Sequence, residues 1–436
     1  MFKQFGWTTK GTFLVGAQEV TKVGAFFTNV TEEEIAKPYG STGTVEQWKR
    51  AWDPFGDYEP WAFAMLTTFA APLLNFYKQT GAILNVFNER HIGKSSLIDL
   101  LASAYGNPRQ VPMRADTSLA ERLHQMRVLR HLPVIIDGGE LPKSKSFFDM
   151  LYAASNGRAR SDVRDQLWQT IMVSTSTASF AEKIAAKRYW PMRTLVRLIE
   201  YKLEPIPQFD TFPLIYENYG HAGRIFVEYI IRNPEEVRSS CKQVRLKIER
   251  ELNLKPREHF WSALASANIV AGMIAKRCNL ISWPMGPIYL WALECIEAQR
   301  KIAPPPPLEP ARLLNDFLNR YPDNILVVDD PPNTRHMATI KRRPAGETLI
   351  RFEVNVRKLY ISARLFKLDC MRYKRRYSDI LGEIKTSGRI LWAGDKKMNA
   401  GTTIKDRRQP IHAIVFDIRG TDFVDYRDYL SCESKE

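Results

Sequence analysis

The sequence predicts an α/β fold centred on a parallel sheet, and three apolar runs predict it. The first enters Val86-Phe-Asn-Glu-Arg-His-Ile-Gly-Lys-Ser-Ser96, which closes in Gly93-Lys94-Ser95 ahead of a helical pattern. The second, Leu132-Pro-Val-Ile-Ile-Asp137, is β-branched and ends in a carboxylate; the third, Gln169-Thr-Ile-Met-Val-Ser-Thr-Ser-Thr177, ends in hydroxyls. Near-continuous apolar runs of this length, spaced for helices between them, are what strands covered on both faces require.

In chain order, residues 1–58 read as a small β-containing lead-in. Phe5-Gly-Trp7 and Thr12-Phe-Leu-Val-Gly16 are strand-like, and a Gly-rich connection follows from Gly40 to Gly43. The abrupt start leaves room for a segment upstream. Residues 59–205 form the α/β core. It opens on a charge-free stretch from Trp61 to Tyr77 that is short for a membrane span and holds Thr67, Thr68, Pro72 and Asn75, so a core helix is expected.

Residues 206–303 turn helical, with apolar periodicity in 223–231, 237–252, 260–276 and 288–301, and read as a helical lid. Pro304-Pro-Pro-Pro307 and Pro310 make 304–310 a stiff linker. Residues 311–436 run helix, strand (324–328), two helices (363–376 and 377–387) and a hairpin (389–393 with 411–416), the order of a winged helix. Arg372, Lys374, Arg375, Arg376, Lys396, Lys397, Lys405, Arg407 and Arg408 would then lie on the second helix region and the wing, within reach of nucleic-acid phosphates. A solvated face is the alternative for any one of them.

Composition bounds the function classes. A chain of 436 residues with 44% hydrophobic content buries a sizeable core, and a net charge of +15 points to a polyanionic partner, nucleic acid before membrane. The five cysteines, Cys241, Cys278, Cys295, Cys370 and Cys432, are scattered and never in a C-x-x-C pair, which speaks against a disulfide framework or a zinc site. No segment reads as a signal peptide, so the chain is expected to stay where it is made, in the cytoplasm. His131 and His412 lack plausible partners in sequence, and nuclease or acyl-transfer chemistry has little support.

The chemistry concentrates in the loop Asn88, Glu89, Arg90, His91, Ile92, Gly93, Lys94, Ser95 and Ser96. A nucleoside triphosphate needs bare backbone N–H groups, an ammonium at the β/γ-phosphates and a hydroxyl on Mg²⁺, all at the start of a helix whose dipole favours anions. Lys94 and Ser95 supply the side chains, while Asn88 stands where the G-x-x-x-x-G-K-[ST] pattern opens with glycine. Asp137, at the end of its strand, is placed to reach the Mg²⁺ shell, and the third run would bring a polar group beside the γ-phosphate and its attacking water. The bland alternative is a chance Gly-Lys-Ser at an ordinary helix start.

With these elements laid out, the chain resembles the helicase-like P-loop ATPases of phage and prophage replication, related to superfamily 3 helicases within the AAA+ class. The carriers are Phe5-Gly-Trp7 with Phe13-Leu-Val-Gly16, the stretch ending at Trp48, Phe69-Ala-Ala-Pro-Leu-Leu74, Ser103-Ala-Tyr-Gly106 and Asp116-Thr-Ser118. The Asp137 strand, Leu151-Tyr152 with Asn156-Gly-Arg-Ala-Arg160, Trp168, Asn218-Tyr-Gly-His-Ala-Gly223 and the helical stretch from Phe260 through Ala271-Gly272 follow in order. The resemblance implies an AAA+-like P-loop NTPase core that hydrolyses ATP with Mg²⁺ and moves along single-stranded DNA as a ring, a hexamer first of all.

Carried over, Lys94 and Ser95 take the Walker A positions and Asp137 that of the Walker B magnesium aspartate. The family's glutamate after that aspartate is Gly138 here, with Glu140 as a substitute if the Gly138-Gly139 pair bends the chain back. Thr175 and Ser176 match the polar sensor position. Arg158, Arg160 and Arg164 would project into the channel of the ring, or pair between subunits, and Arg193 and Arg197 are candidates for the cation supplied across the subunit interface.

The resulting expectation is an ATP-dependent DNA helicase or translocase on single-stranded or forked DNA, alongside other replication proteins. A weakly hydrolysing ATP-binding loader or origin-binding protein is the alternative that Asn88 and Gly138 favour. An ATP-switched DNA-binding regulator is the third.

Overall fold

The computed structural model describes residues 2–89, 92–114, 116–138, 145–158, 167–186, 196–302, 310–329, 337–371, 377–386, 390–404 and 410–418. The chain forms two compact units, Met1–Pro304 and Pro305–Glu436.

The first unit begins with an antiparallel sheet of β1 (Gly6–Trp7), β2 (Phe13–Val15), β3 (Gln18–Thr21) and β4 (Gly24–Phe27) in sequential order. This sheet is pinned to the α/β core. Phe5 N donates to Val128 O at 2.7 Å, Trp7 Nε1 to Pro72 O at 2.9 Å, and Trp7 N to His131 Nδ1 at 3.2 Å. The charge-free stretch folds as helix Glu59–Ala70, buried from Trp61 to Ala70; a 3₁₀ turn carrying Pro72 and a last helical turn to Tyr77 follow. Proline cannot donate within a helix and forces such a break.

The parallel sheet consists, among the described residues, of β5 (Gly81–Phe87), β6 (Val134–Ile136), β7 (Thr170–Ser176) and β8 (Leu198–Lys202) in the order β6-β7-β5-β8. All the pairings are parallel, with helices Lys94–Ser103, Leu119–Leu129, Lys145–Asn156 and Phe180–Ala186 in the crossovers. Met113 forms a parallel bridge to Ile136, on β6. The strand ending in hydroxyls thus lies between the loop strand and the Asp137 strand.

Helices His221–Arg232, Pro234–Glu251, His259–Arg277 and Met285–Ile302 complete this unit. They share one hydrophobic cluster with the N-terminal sheet and the parallel sheet. His259–Arg277 is buried from Trp261 to Gly272, and Asn268 Nδ2 donates to Phe63 O and Thr67 Oγ1 at 2.9 and 2.8 Å. Lead-in, core and lid therefore share one interior. The proline-rich stretch 303–309 lies outside the described residues.

The second unit departs from the expected winged helix. Its sheet has, among the described residues, six strands in the order β10-β9-β11-β12-β14-β13. They are β9 (Ile325–Asp329), β10 (Thr339–Arg342), β11 (Ile350–Glu353), β12 (Lys358–Ser362), β13 (Ile390–Lys396) and β14 (Ile411–Asp417). Helices Pro310–Arg320, Ala363–Cys370 and Tyr377–Thr386 pack a core of Leu314, Phe317, Phe366 and Ile380 against Ile350, Ile361 and Phe416. The hairpin read as a wing is the end of this sheet. β11 escaped the sequence pattern because a charged pair is buried between its apolar positions: Arg351 donates to Glu353 Oε1 at 2.9 Å, Met398 O at 3.1 Å and Ala400 O at 2.6 Å. Burial of a charge is tolerated when it is paired and hydrogen-bonded in this way.

Candidate functional site

The loop begins where β5 ends. Asn88, at the position of the expected glycine, is buried as a strut: its N–H donates to Ser176 O at 3.1 Å and its Nδ2 to Leu203 O at 2.7 Å. Gly93 has φ +85°, a left-handed conformation that an L side chain resists, and it caps helix Lys94–Ser103 without a side chain to offer. Trp61 supports it, with Cη2 3.6 Å from where a Cβ would stand and Nε1 donating to Glu204 O at 2.9 Å. First-turn N–H groups of a helix lack intrahelical partners and form an anion seat. Lys94 Nζ donates to Asn88 O at 2.5 Å, and burial lowers its pKa. Ile92 packs on the core, Glu89 and Ser95 are exposed, and Ser96 is half-buried; Arg90 and His91 lie outside the described residues.

Asp137 lies directly beyond β6, its N–H donating to Met113 O at 3.0 Å. Ser95 Oγ donates to Asp137 Oδ1 at 3.3 Å, which brings together the two residues singled out for Mg²⁺. Gly138, at φ +69°, donates its N–H to Thr175 Oγ1 at 3.4 Å, so Thr175 sits at the Asp137 end. The left-handed backbone explains the glycine: a glutamate there would be strained. Ser176 turns the other way. Its hydroxyl bonds to Asn85 Oδ1 at 3.1 Å and Ala178 O at 2.8 Å, committing it to the sheet interior and not to the loop.

Arg197 also departs from expectation. It precedes β8 at the level of Ala82, about 16 Å along the strand from the loop end of β5. Its Nη1 donates to Ser155 O and to Asn156 Oδ1, the latter at 2.9 Å, and the guanidinium lies 4.5 Å from the Phe260 ring centroid. Those contacts make it an anchor at the far edge of the sheet. Arg158 is exposed after helix Lys145–Asn156, and Lys397 is exposed; Lys396 pairs with Glu353 at 3.3 Å and lies 4.0 Å over the Tyr360 ring centroid, which ties it to its own sheet. Glu140, Arg160, Arg164, Arg193, Arg372, Lys374, Arg375, Arg376, Lys405, Arg407 and Arg408 lie outside the described residues.

Sequence reasoning missed a buried polar network behind the site. Glu200 on β8 accepts from Asn85 Nδ2 at 3.1 Å, Phe180 N at 2.7 Å, Ala181 N at 3.0 Å and from Ser179 Oγ. Gln299 Nε2 donates to Glu200 O at 2.6 Å, tying helix Met285–Ile302 to the same strand. An asparagine amid the apolar run Ala82-Ile-Leu-Asn-Val86 was the available signal.

Among the described residues no group of three His, Cys, Asp or Glu side chains could hold a metal by itself, and no helix is long and apolar enough to cross a membrane. The described cysteines, Cys241, Cys278, Cys295 and Cys370, are free thiols.

Comparison with known proteins supplies two findings. A family model described as a domain of unknown function, DUF927, matches residues 1–165. A solved structure described as "SCCmec type IV Cch - active helicase" is similar over 95% of this chain and 79% of its own, at 14% identity and a TM-score of 0.59. No curated protein matches. At that identity the similarity establishes the fold: a mixed α/β chain with a parallel sheet, built like that structure.

Proposed function

We propose that this chain is an ATP-dependent DNA helicase or translocase of a phage, prophage or related mobile element, working as a homo-oligomeric ring, a hexamer first of all. The observation that carries the reading is the Ser95–Asp137 contact at 3.3 Å, at the carboxyl ends of β5 and β6 with β7 between them. Ligands of open α/β sheets bind at those ends. Two strand spacings separate β5 from β6, about 10 Å, room for a terminal phosphate and a water.

The residues present fit ATP with Mg²⁺. Gly93 leaves the backbone bare, Lys94 supplies the ammonium, and Ser95 and Asp137 supply one hydroxyl and one carboxylate, the sparse ligand set Mg²⁺ takes when phosphates complete its shell. When bound, the ion neutralises charge on the β- and γ-oxygens. Thr175 Oγ1, which accepts from Gly138 N at the Asp137 end of the sheet, is the proposed polar contact to the terminal phosphate. The net charge of +15 and the fold shared with a structure described as an active helicase support DNA as the track. Arg158, Arg160 and Arg164 are the proposed channel contacts and Arg193 the proposed cross-subunit cation.

One observation favours a second reading, an ATP-binding loader or origin-binding protein that hydrolyses weakly: the position after Asp137 is a left-handed glycine that carries no carboxylate to polarise water. Phosphate release with and without single-stranded DNA separates the two. The motor predicts DNA-stimulated turnover that Lys94→Ala abolishes while DNA affinity persists; tight nucleotide binding with vanishing turnover selects the loader, and equal turnover in the mutant overturns the site.

A further inference from the structure

Asp99 lies one turn beyond Ser95 on helix Lys94–Ser103. Residues four apart share a helix face, and side chains tilt toward the N-terminus, so Asp99 overhangs the turn that carries Ser95. Tyr216 OH donates to Asp99 Oδ2 at 2.6 Å, and Tyr216 is itself fixed by the Arg109 guanidinium, 4.4 Å from its ring centroid. Among the described residues Oδ1 of Asp99 accepts no hydrogen bond. The Ser95–Asp137 contact is the independent indication that a metal-bound polyphosphate comes to this place.

From this geometry we infer that Asp99 is a positioning residue for the magnesium of the phosphate site, its Oδ1 accepting a hydrogen bond from a metal-bound water. The inference rests on the nucleotide reading above. It assigns to the loop helix the second carboxylate that the left-handed Gly138 does not carry. The electrostatics agree: burial raises the Asp99 pKa first, and the Asp137 charge raises it further, while the Tyr216 donor and Arg109 oppose them. Two half-buried carboxylates that feel each other are relieved by a divalent cation between them. Tyr216 belongs to the segment leading into the helices after β8, so the same contact ties their base to the metal.

The test titrates Mg²⁺ against binding of an N-methylanthraniloyl ATP analogue to the full chain, followed by fluorescence, for wild type, Asp99→Asn, Tyr216→Phe and Asp137→Asn. Asp99→Asn keeps an acceptor for the Tyr216 hydroxyl and should unfold at the wild-type temperature. It is expected to need about tenfold more Mg²⁺ for half-maximal affinity, the usual size of an outer-shell loss, with binding in EDTA unchanged. Tyr216→Phe shifts the titration less, in the same direction. Overlay of Asp99→Asn on wild type while Asp137→Asn shifts overturns the inference alone. Equal weakening with and without Mg²⁺ makes Asp99 structural and also overturns it. Absence of Mg²⁺-dependent binding in wild type overturns the nucleotide reading itself.

Discussion

Acid should loosen the attachment of the N-terminal sheet through His131. Its ring is buried, accepts a hydrogen bond from Trp7 N at 3.2 Å through Nδ1, and stands where a Cβ on Gly6 would fall 2.5 Å from it. Burial, and then the Arg130 charge, lower the His131 pKa from 6.5 to about 3, against an opposing hydrogen bond with Gln169. Above pH 6.5 both folded and unfolded states hold it neutral. Between 6.5 and 3 the unfolded chain takes the proton first, so stability falls as pH falls. From pH 7 to pH 5 the loss is about 2 kcal/mol, at about 1.4 kcal/mol per unit below 6.5. Urea unfolding at the two pH values, for wild type and His131→Asn, isolates this contribution: the amide keeps an acceptor for Trp7 N but cannot titrate. A mutant with the same pH dependence as wild type refutes the buried neutral ring.

Gly138→Ala should destabilise the chain by roughly 1–2 kcal/mol, the cost of a left-handed backbone for an L residue, read as a lowered urea midpoint; an unchanged midpoint would show that the turn relaxes freely. Glu200→Gln replaces an acceptor of four donors by a group with one carbonyl, leaving at least one buried donor unmatched. About 1–3 kcal/mol should be lost, while exposed Glu182→Gln changes nothing; equal stability of the two variants would dismiss the network.

Three of the four parallel strands, β5, β6 and β7, were legible because a strand covered on both faces is largely apolar, and β5 and β7 are buried nearly end to end. The residues just beyond two of the strands carried the site: Ser95, in the helix after β5, and Asp137, directly after β6, were singled out by residue type, and their side-chain oxygens lie 3.3 Å apart. What failed to show in sequence is which way a buried polar group turns. Thr175 and Ser176 are adjacent hydroxyls, yet strand alternation sends one to Gly138 and the other to Asn85. Arg197 looked like a free cation because its partners, Ser155, Asn156 and Phe260, are about forty or more positions away. In the second unit β11 was hidden for a related reason, whereas β9, β13 and β14 coincide with strands read from the sequence. Arg351 and Glu353 neutralise each other inside the sheet, so the hydropathy pattern of Ile350–Glu353 reads as surface.

Isothermal titration of ATP with Mg²⁺ into wild type and Lys94→Ala measures the central claim directly. Wild type should bind, and the variant should bind about tenfold to a hundredfold more weakly, the value of one charge-assisted hydrogen bond to phosphate. Equal affinity in the two proteins, or no binding by wild type, would contradict a nucleotide site at this loop.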